Sequence, residues 1–242
     1  MTDRIPAALG RRQLLGISIS AASAIGLSAC GSSPPEPPPS QSGASSEQEV
    51  PVTPPEDLMR EHGVLKRILL IYREGIHRLE AEEPDPSQAL NASAGIIRSF
   101  IEDYHEHLEE QYVFPSLEKA GKLTDITSVL RVQHQRGREL TDRILGATTA
   151  AVSLEQPERE ALVQDMSAFI RMYEPHEARE DTVVFPALRD VLPAQKFRDL
   201  AEAFEDEEHR RFGPAGFQGV VDKVADIEKS LGIYDLSQFT PD

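Results

Sequence analysis

Two segments carry the residues whose types and spacing point to chemistry. The first is His105-Glu106-His107-Leu108-Glu109-Glu110-Gln111-Tyr112-Val113-Phe114-Pro115-Ser116-Leu117. The second is His176-Glu177-Ala178-Arg179-Glu180-Asp181-Thr182-Val183-Val184-Phe185-Pro186-Ala187-Leu188. Both read His-Glu-x-x-Glu-acid-x-x-Val-Phe-Pro-x-Leu, at a constant offset of 71 residues. Upstream of each lies one further histidine, His62 and His134, offset by 72. In a helix, residues i and i+4 sit about 40° apart and one turn along. His105 and Glu109 then share a face, as do His176 and Glu180. Turned inward together with His62 and His134, they gather four imidazoles and two carboxylates. Without a cation such a core is penalised by several kcal/mol. A bound divalent metal reverses the sign, and this donor set suits iron, zinc or manganese. Two carboxylates with four imidazoles fit a pair of ions better than one, each carboxylate being able to bridge.

The elements that must position these residues read as helices. Leu58, Leu65, Ile68, Leu69 and Tyr72 recur at helical spacing, giving a first helix over roughly 56–81. Pro84, Asp85, Pro86 and Ser87 interrupt it. A second helix follows from about Gln88 to Lys119, stopped by Gly121, and a third from Thr124 to Ala150. Pro157 opens a fourth that runs to about Val191. Pro193 opens a fifth, ending before Gly213-Pro214, and a sixth covers about Phe217–Leu231 before Gly232. No stretch alternates convincingly enough for a sheet. The expected fold is all-α, an up-down-up-down four-helix bundle over 56–192, with two extra C-terminal helices in an extension over 193–242 packed on it.

The motifs resemble those of the hemerythrin-like, or HHE cation-binding, family. The resemblance covers about Glu56–Leu192. It rests on Arg60-Glu61-His62, on the two His-x-x-x-Glu-acid-x-x-x-Phe-Pro segments and on His134-Gln135-Arg136-Gly137-Arg138. Phe204-Glu205 with Phe212-Gly213, and the ending Leu231-Gly232-Ile233-Tyr234-Asp235-Leu236, look similar to a bacterial branch of it. The resemblance implies a non-haem di-iron centre, with two iron ions held by His62, His105, Glu109, His134, His176 and Glu180. His62 and His105 would serve one iron, His134 and His176 the other, with Glu109 and Glu180 bridging. Family members bind dioxygen reversibly, or handle nitric oxide, peroxide or iron itself.

One departure stands out. Oxygen-carrying members have His-x-x-x-His in the third helix, whereas the position four after His134 is Arg138. One imidazole fewer weakens the case for reversible carriage and favours sensing or peroxide and nitric oxide chemistry. A di-iron oxidoreductase with peroxidase- or catalase-like turnover, an iron-storage module and a scaffold with a degenerate site stay open. Tyr112, seven residues past His105, is either a replacement ligand or a core tyrosine. Glu205 and His209 either add a ligand or form a surface ion pair. Glu110 and Asp181, about 100° from their ligand neighbours, either orient imidazoles or solvate the surface. His107 and His77 read as outward-facing. Phe114 and Phe185 read as core residues over the metal layer, and Pro115 and Pro186 as points where the helices kink or end.

Composition narrows the partners. Asp and Glu number 41 against 25 Lys and Arg, for a net charge of −16. A polyanion has no electrostatic route to nucleic acid. Trp is absent and aromatics are 6%, which disfavours an aromatic binding platform. The single Cys rules out an intramolecular disulfide and a thiolate metal cluster.

That cysteine lies in an address. Residues 1–29 carry Arg4, Arg11 and Arg12 against Asp3, and no charge falls between Gln13 and Pro35. Leu14–Ala29 is short for a membrane span and suits a signal-peptide core. Arg11-Arg12-Gln13-Leu14-Leu15 resembles a twin-arginine export signal, and Leu27-Ser28-Ala29-Cys30 a lipobox whose cysteine is acylated. The expectation is an exported periplasmic or cell-envelope lipoprotein anchored in the membrane at Cys30, with a small diatomic or peroxide ligand and an unidentified electron donor. Removing residues 1–29 takes away three arginines and one aspartate, leaving −18. Residues 30–55 read as a disordered tether, since eight of the 18 prolines fall between Pro34 and Pro55.

Overall fold

Thr53, in extended conformation (φ −81°, ψ 153°), caps the first helix, α1 (Pro54–Glu80), and Glu56 closes a reciprocal capping box with it. Pro54 and Pro55 are therefore the first helical turn and are buried, so α1 begins two residues before the apolar stripe announces it. Proline is at home there because its missing N–H is one a helix start leaves unpaired anyway. The computed structural model describes residues 52–81, 83–149 and 154–241. The export address, Cys30 and the tether up to residue 51 lie outside the described residues.

Five more helices follow: α2 (87–119), α3 (Thr124–Thr148), α4 (156–191), α5 (Ala194–Phe212) and α6 (Gly216–Leu231). No strand occurs among the described residues. No helix among them is long and apolar enough to cross a membrane. Gly121 (φ +65°) ends α2, with the Lys122 N–H bonded back to the Leu117 carbonyl at 2.9 Å. Gly232 (φ +74°) ends α6 in the same way, the Ile233 N–H reaching the Glu228 carbonyl at 3.0 Å. Both use the left-handed conformation that glycine adopts without a Cβ penalty.

The stripe that defined α1 is the core: Leu58, Leu65, Ile68, Leu69 and Tyr72 are all buried. α1 packs on α2 and α4, and α3 on α2 and α4, so the four form a closed ring around one interior. α6 lies against α1 and α2, and α5 against α6 and α1.

Helices α2 and α4 are not uniform. Ile97–His105 and Glu109–Val113 in α2, and Glu180–Val184 in α4, are wider π-helical turns. The Phe114 N–H bonds to the Glu109 carbonyl and the Phe185 N–H to the Glu180 carbonyl, five residues back in each case. The expectation that Pro115 and Pro186 kink or end their helices is corrected in this respect: both helices run through them, to Lys119 and Val191. In a regular helix the proline ring clashes with the carbonyl four residues back. A π turn just upstream displaces that carbonyl, so the chain accommodates proline without stopping.

Candidate metal centre

Each wall of the ring contributes to one interior cluster. α1 brings His62, α2 brings His105 and Glu109, α3 brings His134, and α4 brings His176 and Glu180; all six are buried. His62, His105, Glu109 and Glu180 offer ligand atoms that all lie within 4.8 Å of one another. Glu109, His134, His176 and Glu180 do the same. The two groups share both glutamates. Glu180 Oε2 lies 3.1 Å from His176 Nε2 and 3.4 Å from His62 Nε2. Glu109 Oε2 lies 3.5 Å from His134 Nε2 and 3.7 Å from His105 Nε2. Each carboxylate thus stands between an imidazole of one group and an imidazole of the other.

All four rings are held from behind. His62 Nδ1 lies 2.8 Å from Asp181 Oδ1, and His134 Nδ1 lies 2.9 Å from Glu110 Oε1. His105 Nδ1 lies 2.7 Å from Glu61 Oε2, and His176 Nδ1 lies 2.9 Å from Gln133 Oε1. Donation from Nδ1 to these oxygens leaves the Nε2 lone pair free to face inward. The pattern repeats with the sequence: Asp181 and Glu110 are equivalent across the repeat, as are Glu61 and Gln133. The orienting reading of Glu110 and Asp181 is the one the geometry supports, each reaching a histidine of another helix. Phe185 stacks on His62 and Phe114 on His134, each with centroids 5.5 Å apart, covering the ring faces.

The electrostatics of the cluster are strained. Burial, reinforced by Glu180, pushes the Glu109 carboxyl well above the usual range. For Glu180 burial acts in the same direction, but His176 and His62 outweigh it and hold the group anionic. Burial lowers His134 to about 4 and pushes His105 well down. Burial also opposes a charge on His62, yet Asp181 and Glu180 prevail and raise it to about 9. Neither oxygen of Glu109 or Glu180 has hydrogen-bond geometry to any partner, close as the imidazoles are, and His134 Nε2 has none. His62 Nε2 and His105 Nε2 face each other at 3.0 Å, which requires a proton or a cation between their lone pairs. Unsatisfied buried acceptors converging with imidazole nitrogens are what a divalent cation resolves, so the residues fit a metal.

Arg138 does not point at this cluster. Its Nη2 lies 2.9 Å from both Glu106 Oε2 and Glu110 Oε1. Its equivalent in the first half is Lys66, 72 residues earlier, which pairs with Glu177, the equivalent of Glu106. The fourth position after each α1/α3 histidine is thus a cation binding the glutamate that follows a ligand-bearing histidine. Arg138 also restrains Glu110, which is lowered to about 2: burial acts against this, and His134 and Arg138 overcome it.

Tyr112 is a partly buried tyrosine packed against the core. Its ring lies 6.0 Å from that of Phe204 on α5, because the π turn at 109–113 breaks the seven-residue phase on which the ligand reading depended. Glu205 and His209 belong to neither ligand group, and His209 is exposed. His107 and His77 are exposed as expected, His107 lining a surface pocket with Glu102, Asp103, Glu110, Arg138 and Arg211. Sequence reasoning missed Glu61, Gln133, Glu106, Glu177, Lys66 and Tyr173. The available signal for the first five was that their positions recur, next to or four from the histidines; Tyr173, whose repeat counterpart is Glu102, had no such signal. Tyr173 donates to Glu106 Oε1 at 2.6 Å, and it passes α3 at Gly137, where a Cβ would lie 2.0 Å from its hydroxyl oxygen.

An all-helical bundle with paired histidine–glutamate clusters defines a metal-binding helical protein. The description "Hemerythrin HHE cation binding domain" matches residues 53–188, and again 125–215, and the chain belongs to that family. The chain is also similar to uncharacterized proteins of Mycobacterium bovis and Mycobacterium tuberculosis. Each is 76% identical over 241 residues, covering 100% of this chain and 94% of the relative. No solved structure matches.

Proposed function

We propose that this is a non-haem di-iron protein that binds or senses a small ligand (dioxygen, nitric oxide or peroxide) outside the cytoplasm. The observation that carries the reading is the sharing of Glu109 and Glu180 by two otherwise separate histidine pairs. His62 and His105 would hold one ion, His134 and His176 the other, and the two glutamates both. Bound iron would supply reversible redox change and open coordination for the ligand. The chain's own part is to orient and to exclude water. Asp181, Glu61, Glu110 and Gln133 fix the ring orientations from Nδ1. Phe114 and Phe185 cover the imidazole faces, and Lys66 and Arg138 hold the flanking glutamates away from the centre. An up-down-up-down course of α1–α4, with α5 and α6 packed outside, provides this frame.

The remaining parts of the reading rest on sequence. Residues 1–29 direct export by the twin-arginine route, Cys30 is lipidated, and the tether that follows, which ends before the Thr53 cap of α1, holds the bundle off the membrane. Export of a folded chain would let the metal be chosen before it meets periplasmic competitors, since availability as well as affinity decides occupancy.

Purified full-length chain should carry about two irons, and Glu109→Ala or Glu180→Ala should each lose two-metal binding. Retention of two ions in either variant refutes the shared-carboxylate reading. An absorption band that appears with oxygen and vanishes on its removal supports reversible binding. An irreversible band with rapid peroxide loss moves the reading to peroxide turnover. Cys30→Ala should shift the protein from the membrane to the soluble fraction.

A further inference from the structure

All six candidate ligands are buried, so a cation that reaches them has to pass a side chain in the wall of the ring. One stretch of that wall is thin. A surface pocket of about 330 Å³ is lined by Glu102, Asp103, His107 and Glu110 of α2, by Arg138 of α3 and by Arg211 of α5. Glu110 belongs both to this pocket and to the surroundings of the centre, since its Oε1 lies 2.9 Å from His134 Nδ1. A single side chain therefore stands between the pocket and a candidate ligand.

The same spot carries a donor set of its own. Glu106, Glu110 and His134 each offer a ligand atom, and these lie within 4.8 Å of one another. A cation already occupies the set, and that cation is Arg138. Its Nη2 lies 2.9 Å from Glu106 Oε2 and 2.9 Å from Glu110 Oε1, bridging the two carboxylates as a metal ion would. The Arg138 side chain is 25% exposed and borders the pocket, so it has room to swing outward. Glu106 stays behind, buried and held at its other oxygen by the Tyr173 hydroxyl at 2.6 Å. The other half of the repeat lacks this arrangement. Lys66, the counterpart of Arg138, binds Glu177, but Glu177, Asp181 and His62 form no such donor set among the described residues.

We propose that Arg138 is the plug of a metal-loading route: divalent cations enter from the pocket, displace the guanidinium from Glu106 and Glu110, and pass from those carboxylates along His134 to Glu109. The inference rests on the reading of the interior as a metal centre and adds how that centre is filled. His134 Nε2 lies 3.5 Å from Glu109 Oε2, so one imidazole spans the distance from the plugged carboxylates to the shared glutamate. A dication between two carboxylates gains more Coulomb energy than the single charge it replaces, so the exchange is feasible in charge. Arg138 stays tethered to α3 and returns once the ion has moved inward. An ion leaving by the same path then meets a positive charge at the exit. The plug thus sets how fast metal enters and leaves, in both directions alike, and not how many ions are held.

Cobalt(II) uptake by metal-stripped full-length chain, followed through the visible absorption of the bound ion, tests this, with cobalt(II) loss to EDTA as the reverse measurement. Arg138→Ala should be at least tenfold faster than wild type in both directions, with the number of bound ions unchanged. Lys66→Ala should accelerate either direction far less. Arg138→Gln, which keeps a hydrogen-bond donor but no charge, should also be fast, and circular dichroism checks that each variant is folded. Millimolar methylguanidinium should slow Arg138→Ala again by refilling the plug. A variant that is fast only because it is destabilised would not be slowed by such a compound. Equal rates in wild type and both Arg138 variants, with the interior ions bound, overturn the proposal and leave the metal-centre reading intact. A fast Arg138→Ala that methylguanidinium does not slow, or a Lys66→Ala that is equally fast, overturns it as well. No interior cobalt(II) in wild type at any concentration overturns the metal-centre reading and this proposal together.

Discussion

Removing the guanidinium of Arg138 should be among the most costly single changes near the centre that touches none of the six candidate ligands. Arg138 Nη2 lies 2.9 Å from Glu106 Oε2, and Glu106 is 1% exposed. Truncating one partner of a buried ion pair costs about 3–5 kcal/mol, because the other charge is stranded. Two features reduce that here. Arg138 is itself 25% exposed, and Glu106 keeps the Tyr173 hydroxyl at 2.6 Å and can take up a proton. The expected loss for Arg138→Ala is then about 2–3 kcal/mol, or a fall in Tm of roughly 5–10 °C for a domain of this size. Lys66→Ala provides the internal comparison. Lys66 is 56% exposed while its partner Glu177 is fully buried, so solvent screens only the ammonium end and its loss should cost less than that of Arg138, about 1–2 kcal/mol. Arg138→Lys should recover only part of the loss, since an ammonium cannot serve Glu106 and Glu110 with the same planar fork. The assay is urea unfolding of metal-free full-length chain at pH 6 and pH 8. The Arg138→Ala penalty should grow with pH, because a protonated Glu106 tolerates the missing cation and an ionised one does not. A penalty under about 0.5 kcal/mol would show that burial of Glu106 is not what Arg138 compensates.

Three further outcomes are expected. Metal-free chain should lose stability as pH rises from about 4.5 to 9. Glu61 is raised to about 8 by burial, and His62 is raised to about 9 because Asp181 and Glu180 overcome burial. A raised folded-state pKa means that the native chain holds the proton longer, so its stabilisation fades through that pH, by on the order of 3 kcal/mol in total; denaturant midpoints that stay flat or rise would contradict this. Gly137→Ala should cost about 1–3 kcal/mol by overpacking against Tyr173, and Tyr173→Phe should relieve part of it in a double-mutant cycle; additive costs would refute the contact. Gln133→Glu, which gives His176 the carboxylate partner that His105 already has, should bring the affinities of the first and second bound metal closer together; unchanged stepwise constants in a metal titration would count against it.

The helices and the six-residue cluster were legible in the sequence because both depend on periodicity. The apolar stripe of α1, the glycine stops at 121 and 232 and the 71-residue repeat are local patterns, and local patterns determine helix faces. The π turns were not legible. A proline two positions beyond a valine reads as a break, and only the packed structure shows that widening the preceding turn costs less than ending the helix. Tyr112, open in the sequence between a ligand and a core tyrosine, packs against the core beside Phe204. The partners of the imidazoles were partly hidden because they come from other helices: Glu61 precedes His62 in sequence but holds His105. Arg138 read as a missing ligand until the structure paired it with Lys66 as one half of a repeated device.

The repeat also explains where the two halves should differ. If the halves were identical, two metal positions would be equivalent by symmetry. They are not identical behind the rings. His62 and His105 face Asp181 and Glu61, two acidic partners, whereas His134 and His176 face Glu110 and the neutral amide of Gln133. Glu110 moreover shares its Oε1 with Arg138, whereas no such cation is bonded to Asp181 Oδ1 among the hydrogen bonds and ion pairs seen. A carboxylate accepting from Nδ1 makes the imidazole a stronger donor at Nε2, and a guanidinium on that carboxylate weakens the effect. The His62–His105 half therefore offers the more electron-rich pair of nitrogens, and the first cation to enter should settle there. The same asymmetry places the less constrained position at the His134–His176 half. Any small ligand that needs an open position is thus expected at His134 and His176, on the side of the cluster whose partners pull least on the metal.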